Sequence, residues 1–189
     1  MSKSRRAKPI NQVRIIGGDW RGRKLSFPSI EGLRPTPDRI RETLFNWLST
    51  QIAGAHCLDL YAGSGALGFE ALSRGASSCC FVDNNKQVLR TLASSVKALN
   101  CHDRATTMLA DSGSLITLDQ SIDLVFLDPP FASHLLTGTL DWLLKSAAVH
   151  SETLIYLESP KAYELPSSGV SVLKEKTAGD VTSRLVVRR

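Results

Sequence analysis

Leu58-Asp59-Leu60-Tyr61-Ala62-Gly63-Ser64-Gly65-Ala66-Leu67-Gly68 passes from an apolar run straight into helix-favouring residues. Gly63, Gly65 and Gly68 satisfy G-x-G-x-x-G, in which the missing Cβ atoms permit a tight turn and let the backbone approach a ligand closely. By itself the motif is weakly specific. Asp83 sharpens it, lying 24 residues after Asp59 at the end of the next apolar run, where a carboxylate can accept both hydroxyl protons of a ribose. The pair predicts an adenosine-containing ligand in the crevice beyond the carboxyl ends of parallel strands. Its expected cradle is Asp59, Tyr61, Gly63, Ser64, Gly65, Asp83 and Asn84.

Outward from this stretch, short β-branched or apolar runs alternate with longer helical ones. Strands are predicted at Cys57 to Tyr61, Cys79 to Asp83, Thr106 to Leu109, Asp123 to Leu127 and Leu154 to Glu158, with helices at Ala66 to Arg74, Lys86 to Leu99 and His134 to Lys145. Such alternation predicts an α/β fold, parallel strands with helices on both faces. Val170 to Lys176 and Val181 to Arg188 read as a terminal antiparallel pair. Upstream, Val13 to Ile16 and Lys24 to Phe27 flank a glycine-rich turn and predict a basic β-hairpin. Ile40, Leu44, Trp47, Leu48 and Ile52 then fall at helical spacing over Asp38 to Ile52.

The chain has 189 residues, 42% of them apolar, enough for one domain that buries roughly 70% of its unfolded surface without disulfide or metal staples. Disorder is excluded by the same composition. No apolar run has the length of a membrane span and none follows the basic start as in a signal peptide, so a cytoplasmic protein is expected. Cys57, Cys79, Cys80 and Cys101 lack C-x-x-C spacing; they read as small buried hydrophobes, and no metal is expected. Charge is unevenly spread. Residues 1–41 carry eleven bases against three acids, a net +8, while the remaining 148 residues hold twelve bases and fifteen acids. That asymmetry points to a polyanionic partner, with a solvated tail as the plain alternative.

The acids choose the ligand. Asp59 lies four residues before the first glycine, where it would repel a pyrophosphate but attract the ammonium and sulfonium of S-adenosylmethionine. S-adenosylmethionine is therefore expected ahead of NAD, and a satisfied core acid remains the plain reading of Asp59. Asp111 and Ser112 follow the third strand; the acid can accept an adenine amino group, or the two can cap a helix. Asp128-Pro129-Pro130-Phe131 ends the fourth strand. Successive prolines cannot continue a ladder and project their neighbours rigidly. Asp128 and the Pro129 carbonyl can each accept one N–H of an exocyclic amine, and Phe131 offers a stacking face for the flipped base. A strand-ending turn is the alternative.

With the Gly63 loop, this tetrad resembles the seven-strand S-adenosylmethionine-dependent N-methyltransferases of exocyclic amines. Arg34-Pro35-Thr36-Pro37-Asp38-Arg39-Ile40-Arg41-Glu42-Thr43-Leu44-Phe45-Asn46 narrows the resemblance to the bacterial methyltransferases of guanine N2 in small-subunit ribosomal RNA, over nearly the whole chain. The resemblance implies a Rossmann-like seven-stranded methyltransferase sheet, mostly parallel with a C-terminal antiparallel hairpin, over residues 34–189. Residues 1–33 would be a small basic hairpin extension. It further implies Thr36 and Arg39 as cofactor-pocket residues, with Tyr61 and Pro37 as minor departures that remove no essential group. Arg14, Arg21, Arg23, Lys24 and Arg34 are expected on RNA phosphates, in a monomer acting on ribosomal RNA either free or within an assembling subunit. Methyl transfer from a sulfonium needs mainly positioning, with Asp128 holding the amine. The rivals are a DNA adenine or cytosine N-methyltransferase, disfavoured because no target-recognition domain follows, a nicotinamide oxidoreductase, and a non-catalytic RNA-binding module.

Overall fold

The computed structural model describes residues 11–30, 33, 35–111, 121–130 and 135–189. It opens with an antiparallel hairpin, β1 (Asn11–Arg14) and β2 (Lys24–Phe27), followed by helix α1 (Asp38–Trp47). Strands and helices then alternate: β3 (His56–Asp59), α2 (Ala66–Ser73), β4 (Ser78–Asp83), α3 (Lys86–Leu99), β5 (Ala105–Leu109), β6 (Ile122–Leu127), α4 (Leu135–Lys145) and β7 (Val149–Pro160). The antiparallel pair β8 (Val170–Ala178) and β9 (Val181–Arg188) closes the chain. Seven strands form one sheet in the order β5-β4-β3-β6-β7-β9-β8, parallel from β5 to β7, with β9 antiparallel to both its neighbours. The expected α/β architecture, terminal hairpin and N-terminal hairpin are all present.

Two apolar layers sandwich the sheet because the side chains of each strand alternate between its faces. Leu58, Val125, Leu127, Ile155 and Leu157 pack with Leu136, Leu140 and Leu143 of α4. Cys57, Cys79, Phe81, Phe126 and Tyr156 pack with α1, α2 and α3. Helix α3 shows why such a sequence folds locally. The side chain of Asn85 accepts Gln87 N–H at 2.8 Å as its N-cap, and Val88, Leu92, Val96 and Leu99 form one buried stripe. All four cysteines are free thiols, and Cys57, Cys79 and Cys101 are buried.

Several element ends depart from the expectations, among them β3, which ends at Asp59 and leaves Tyr61 in the loop, and β8, which runs on to Ala178. β1 begins at Asn11 and its ladder is carried on by Ile15 N–H donating to Arg23 O at 2.9 Å. α1 ends at Trp47, although a further turn bond, Ile52 N–H to Leu48 O at 3.0 Å, still folds Ile52 into the core. β7 reaches from Val149 to Pro160, far beyond its apolar centre, because Thr153 donates its hydroxyl to Ile122 O at 2.7 Å and β9 pairs with its far end. The start of the expected fourth helix at His134 lies outside the described residues.

The basic hairpin is no free arm. Val13, Ile15, Leu25 and Phe27 belong to the same buried cluster as α1, α2 and α3, so the boundary at residue 33 divides two sheets and not two cores. Glu70 of α2, fully buried, fixes the hairpin by accepting Ile16 N–H at 2.7 Å and Gly17 N–H at 2.8 Å. Its charge is met by Arg74 Nε at 2.7 Å and Arg41 Nη1 at 3.6 Å. Arg41, also fully buried, donates to Arg14 O, Thr36 O and Asp38 Oδ1. It thereby ties the hairpin and α1 to the segment that leads to Thr36.

Candidate active site

Strand order reverses between β3 and β6, whose chain-order neighbours lie on opposite sides of them. In an open α/β sheet the crevice beyond the carboxyl ends at such a switch point is where ligands bind. Asp59 closes β3, the glycine loop follows it, Asp83 closes β4, and Asp128 follows β6. All four converge on that crevice because parallel strands deliver their carboxyl ends to one edge.

The loop is shaped by its glycines. Gly65 caps α2 at φ +74°, and a Cβ there would lie 2.6 Å from Phe69 and 2.7 Å from Leu92. Gly68 lets α2 lie on the sheet, since its Cβ would come within 2.3 Å of Phe81 Cε1. Asp83 fixes the turn by accepting Gly63 N–H on Oδ2 at 3.0 Å and Asn85 N–H on Oδ1 at 2.8 Å. Asp59, 3% exposed, accepts Gly68 N–H on Oδ2 at 3.1 Å. Burial pushes its carboxyl up to about 7, the Gly68 N–H holds it down, and the Asp83 charge adds to the rise. A cationic ligand would reverse this by favouring the ionised form. Leu33 roofs the loop: a Cβ on Gly63 would sit 3.7 Å from its Cγ.

Beside the loop lies a cluster of acids and hydroxyls. Thr36, buried, donates its hydroxyl to Asp128 Oδ2 at 3.2 Å. Asp128 is half-buried, Pro129 buried and Pro130 exposed. Burial raises the Asp128 carboxyl well above the ordinary range, and the neighbouring Glu158 raises it further, against the Thr36 hydrogen bond. Glu158, at 4% exposure, is raised by burial and held down by hydrogen bonds from Tyr156 and Thr36. The Tyr156 hydroxyl lies 2.7 Å from Glu158 Oε1 and 3.2 Å from Ser183 Oγ.

The remaining expected residues divide into groups. Ser64 is buried in the loop, its Oγ accepting Ala66 N–H at 3.3 Å. Asn84 and Asp111 are exposed at the same edge of the sheet. The Tyr61 hydroxyl is directed to Thr139 of α4, at 2.7 Å, so its side chain serves the second core layer. Arg39 is exposed on α1, and the buried arginine of that helix is Arg41. Arg34, Ser112 and Phe131 lie outside the described residues. Arg14, Arg21, Arg23 and Lys24 are all exposed; Arg14 pairs with Asp38 at 3.2 Å and Arg23 donates to Ala98 O at 2.9 Å. Arg23 and Lys24 line a groove of about 210 Å³ between β2 and α3, together with Thr91 and Ser94. The hairpin turn sits at the far end of α2, where Asp19 N–H reaches Ser73 O at 2.8 Å. At eight residues, α2 separates it from the glycine loop by about 12 Å. Glu158, Tyr156, Leu33 and Arg41 were not expected at the site. The available signal was Tyr156-x-Glu158 at the end of a strand, which puts both side chains on one face.

Residues 13–187 match the family described as conserved hypothetical protein 95. The ribosomal RNA small subunit methyltransferase D of Escherichia coli (strain K12) is 43% identical over 185 residues, covering 94% of this chain and 90% of that protein. Its Haemophilus influenzae counterpart is 42% identical over 191 residues, covering 98% of each. A solved Escherichia coli chain described as a methyltransferase superposes with a TM-score of 0.85 at 43% identity, over 94% of this chain and 98% of that one. The fold is shared with a Thermus thermophilus 16S rRNA N2 guanine methyltransferase solved with AdoMet and guanosine, at a TM-score of 0.73 and 18% identity, over 96% of this chain and 50% of that one.

Proposed function

The chain belongs to the conserved hypothetical protein 95 family, among the small-subunit ribosomal RNA methyltransferases, and from that premise we propose that it transfers a methyl group from S-adenosylmethionine to the exocyclic N2 amine of a guanine in small-subunit ribosomal RNA. The observation that carries the reading is Asp128 at the end of β6, held by Thr36, beside the glycine loop at the switch point. The named activity of relatives and the AdoMet of the fold neighbour support the same reaction and donor.

S-adenosylmethionine, when bound, supplies a methyl group made electrophilic by its sulfonium. The donor set suits it: Asp59 offers a buried carboxylate to a cation, Asp83 a carboxylate already oriented by two N–H groups, and the loop two amide-lined turns without Cβ atoms. Asp128 accepts one N–H of the amine and the Pro129 carbonyl the other, which leaves the nitrogen lone pair pointing out of the acceptor plane. Orientation of this kind replaces the freedom of a bimolecular encounter and needs no strong base, since a nitrogen that has become cationic sheds its proton readily. The basic hairpin binds phosphate and fixes register on the RNA, while the crevice selects the base. Asp128→Ala tests the assignment: single-turnover methylation falls by about 10² or more while S-adenosylmethionine affinity stays within about twofold. Wild-type turnover in that variant would remove Asp128 from the chemistry.

A further inference from the structure

Beyond residue 41 acids outnumber bases fifteen to twelve, yet the 19 residues from Asn84 to His102 hold three of those bases and no acid. All three bases lie on α3. Lys86, Arg90 and Lys97 are spaced by four and seven residues, so they fall on one line of the helix with Ala93 between them, and all four positions are exposed. The opposite stripe of Val88, Leu92, Val96 and Leu99 is buried. Among the described residues none of the three cations is in an ion pair. Helix stability favours a different pattern. Lys86 stands in the first turn, where a cation opposes the helix dipole, and it repels Arg90 one turn on; only Lys97, in the last turn, suits the dipole. A face that serves solubility mixes both signs, as α4 does with exposed Asp141 and Lys145, 2.7 Å apart.

The line continues the hairpin. Arg23 donates to Ala98 O at 2.9 Å, next to Lys97. With Lys24, Thr91 and Ser94 it lines the groove of about 210 Å³ between β2 and α3, and among the described residues no acid lines that groove. Thr91 and Ser94 give their hydroxyl protons to Gln87 O and Arg90 O, at 3.0 and 2.9 Å, so the donors left for an anion are the cations. At its other end α3 starts from Asn85, whose N–H is held by Asp83 at the carboxyl edge of the sheet. Its 14 residues span about 21 Å. The helix therefore runs from the hairpin to the crevice. A row of phosphates matches such a row of cations, because it repeats one negative charge along its length, whereas a single small anion meets one cation and leaves the others unused.

We propose that the exposed face of α3 is a phosphate-binding track that, with Arg23 and Lys24, carries a strand of the substrate RNA from the hairpin to the crevice. The inference rests on ribosomal RNA being the substrate. Phosphate contacts along α3 fix where the strand lies, and the crevice reads the base.

The test is the affinity for small-subunit ribosomal RNA at several salt concentrations. Replacing Lys86, Arg90 and Lys97 together with Ala flattens the slope of log affinity against log salt by about two units, since each phosphate contact contributes roughly 0.7 to 0.9. At about 0.15 M salt the KM for RNA rises by about tenfold or more, while the single-turnover rate at saturating RNA and the affinity for S-adenosylmethionine stay within about twofold. Lys86→Arg with Lys97→Arg keeps the wild-type slope. Helix α3 packs on β4 and β5, whereas exposed Lys161, Lys174 and Lys176 lie toward the β8 side of the sheet. Replacing those three with Ala removes the same charge and leaves the slope unchanged. A line for the α3 variant parallel to wild type, or an equal flattening in the β8-side variant, overturns the proposal. If the triple α3 variant does not fold, Arg90→Glu decides, with a flattening of about one unit or more expected. A wild-type protein that neither binds nor methylates the RNA removes the substrate reading and this proposal with it. N2-methylguanosine formed by wild type beside an α3 variant of unaltered slope removes the proposal alone.

Discussion

Asp59→Asn should make the protein more stable, and increasingly so as pH rises. Asp59 is 3% exposed, and its carboxyl is pushed by burial from an ordinary 3.8 up to about 7. Between those values the folded protein keeps a proton that the unfolded chain has lost. The stability linked to that proton is complete below about pH 4 and is lost as pH rises through about 7. At about 1.4 kcal/mol per pK unit the full loss is about 4 kcal/mol, of which about 3 falls between about pH 5 and about pH 8. Asn keeps an oxygen for the Gly68 N–H and never ionises. The variant's advantage over wild type in urea unfolding of the cofactor-free protein should therefore grow by about 3 kcal/mol over that interval and level off above it. Relief of the repulsion that Asp59 exerts on Asp128 acts in the same direction. The variant also binds S-adenosylmethionine more weakly at about pH 8, where wild type presents a charge. A stability difference independent of pH would refute the burial argument.

Asp83→Ala removes the acceptor of the Gly63 and Asn85 amides and weakens S-adenosylmethionine binding by about 1 to 3 kcal/mol in calorimetric titration; an unchanged dissociation constant excludes it from the site. Gly68→Ala drives a Cβ to within 2.3 Å of Phe81 and 2.7 Å of Cys79, and denaturant unfolding should show a loss of about 1 to 3 kcal/mol, with an unaltered midpoint counting against tight helix–sheet packing there. Replacing Arg21, Arg23 and Lys24 together with Ala flattens the slope of log RNA affinity against log salt by about two units without changing cofactor binding, whereas parallel lines place the phosphate contacts elsewhere.

The glycine motif, Asp83 and the Asp-Pro-Pro turn were legible because each is local: a strand, its carboxyl end and the next few residues specify them. The sheet followed from alternation, and the two-faced packing from the apolar centres of β3 and β6. What escaped was set by strand order and packing. Glu158 neighbours Asp128 only because β7 lies against β6 in the stated register, and a lone acid after an apolar run carries no mark of that. The resemblance implies Arg39 as a pocket residue; the burial of Arg41, which the helix turns inward to Glu70 while Arg39 stays exposed, carries no mark in the sequence. Tyr61 sits on the right loop, but its hydroxyl reaches Thr139 on the opposite face. The charge of the N-terminal segment was plain in the sequence, whereas its attachment to α2 through buried Glu70 was not, because a buried carboxylate reads in sequence like any helix-surface glutamate.

The most direct test of the central claim is nucleoside analysis after incubation with methyl-labelled S-adenosylmethionine and, separately, free small-subunit ribosomal RNA, assembled small subunits and DNA. The account predicts label in N2-methylguanosine from ribosomal RNA or from the subunit, and none from DNA. Label in a methylated adenine or cytosine, label in DNA, or no incorporation into any of the three would contradict it.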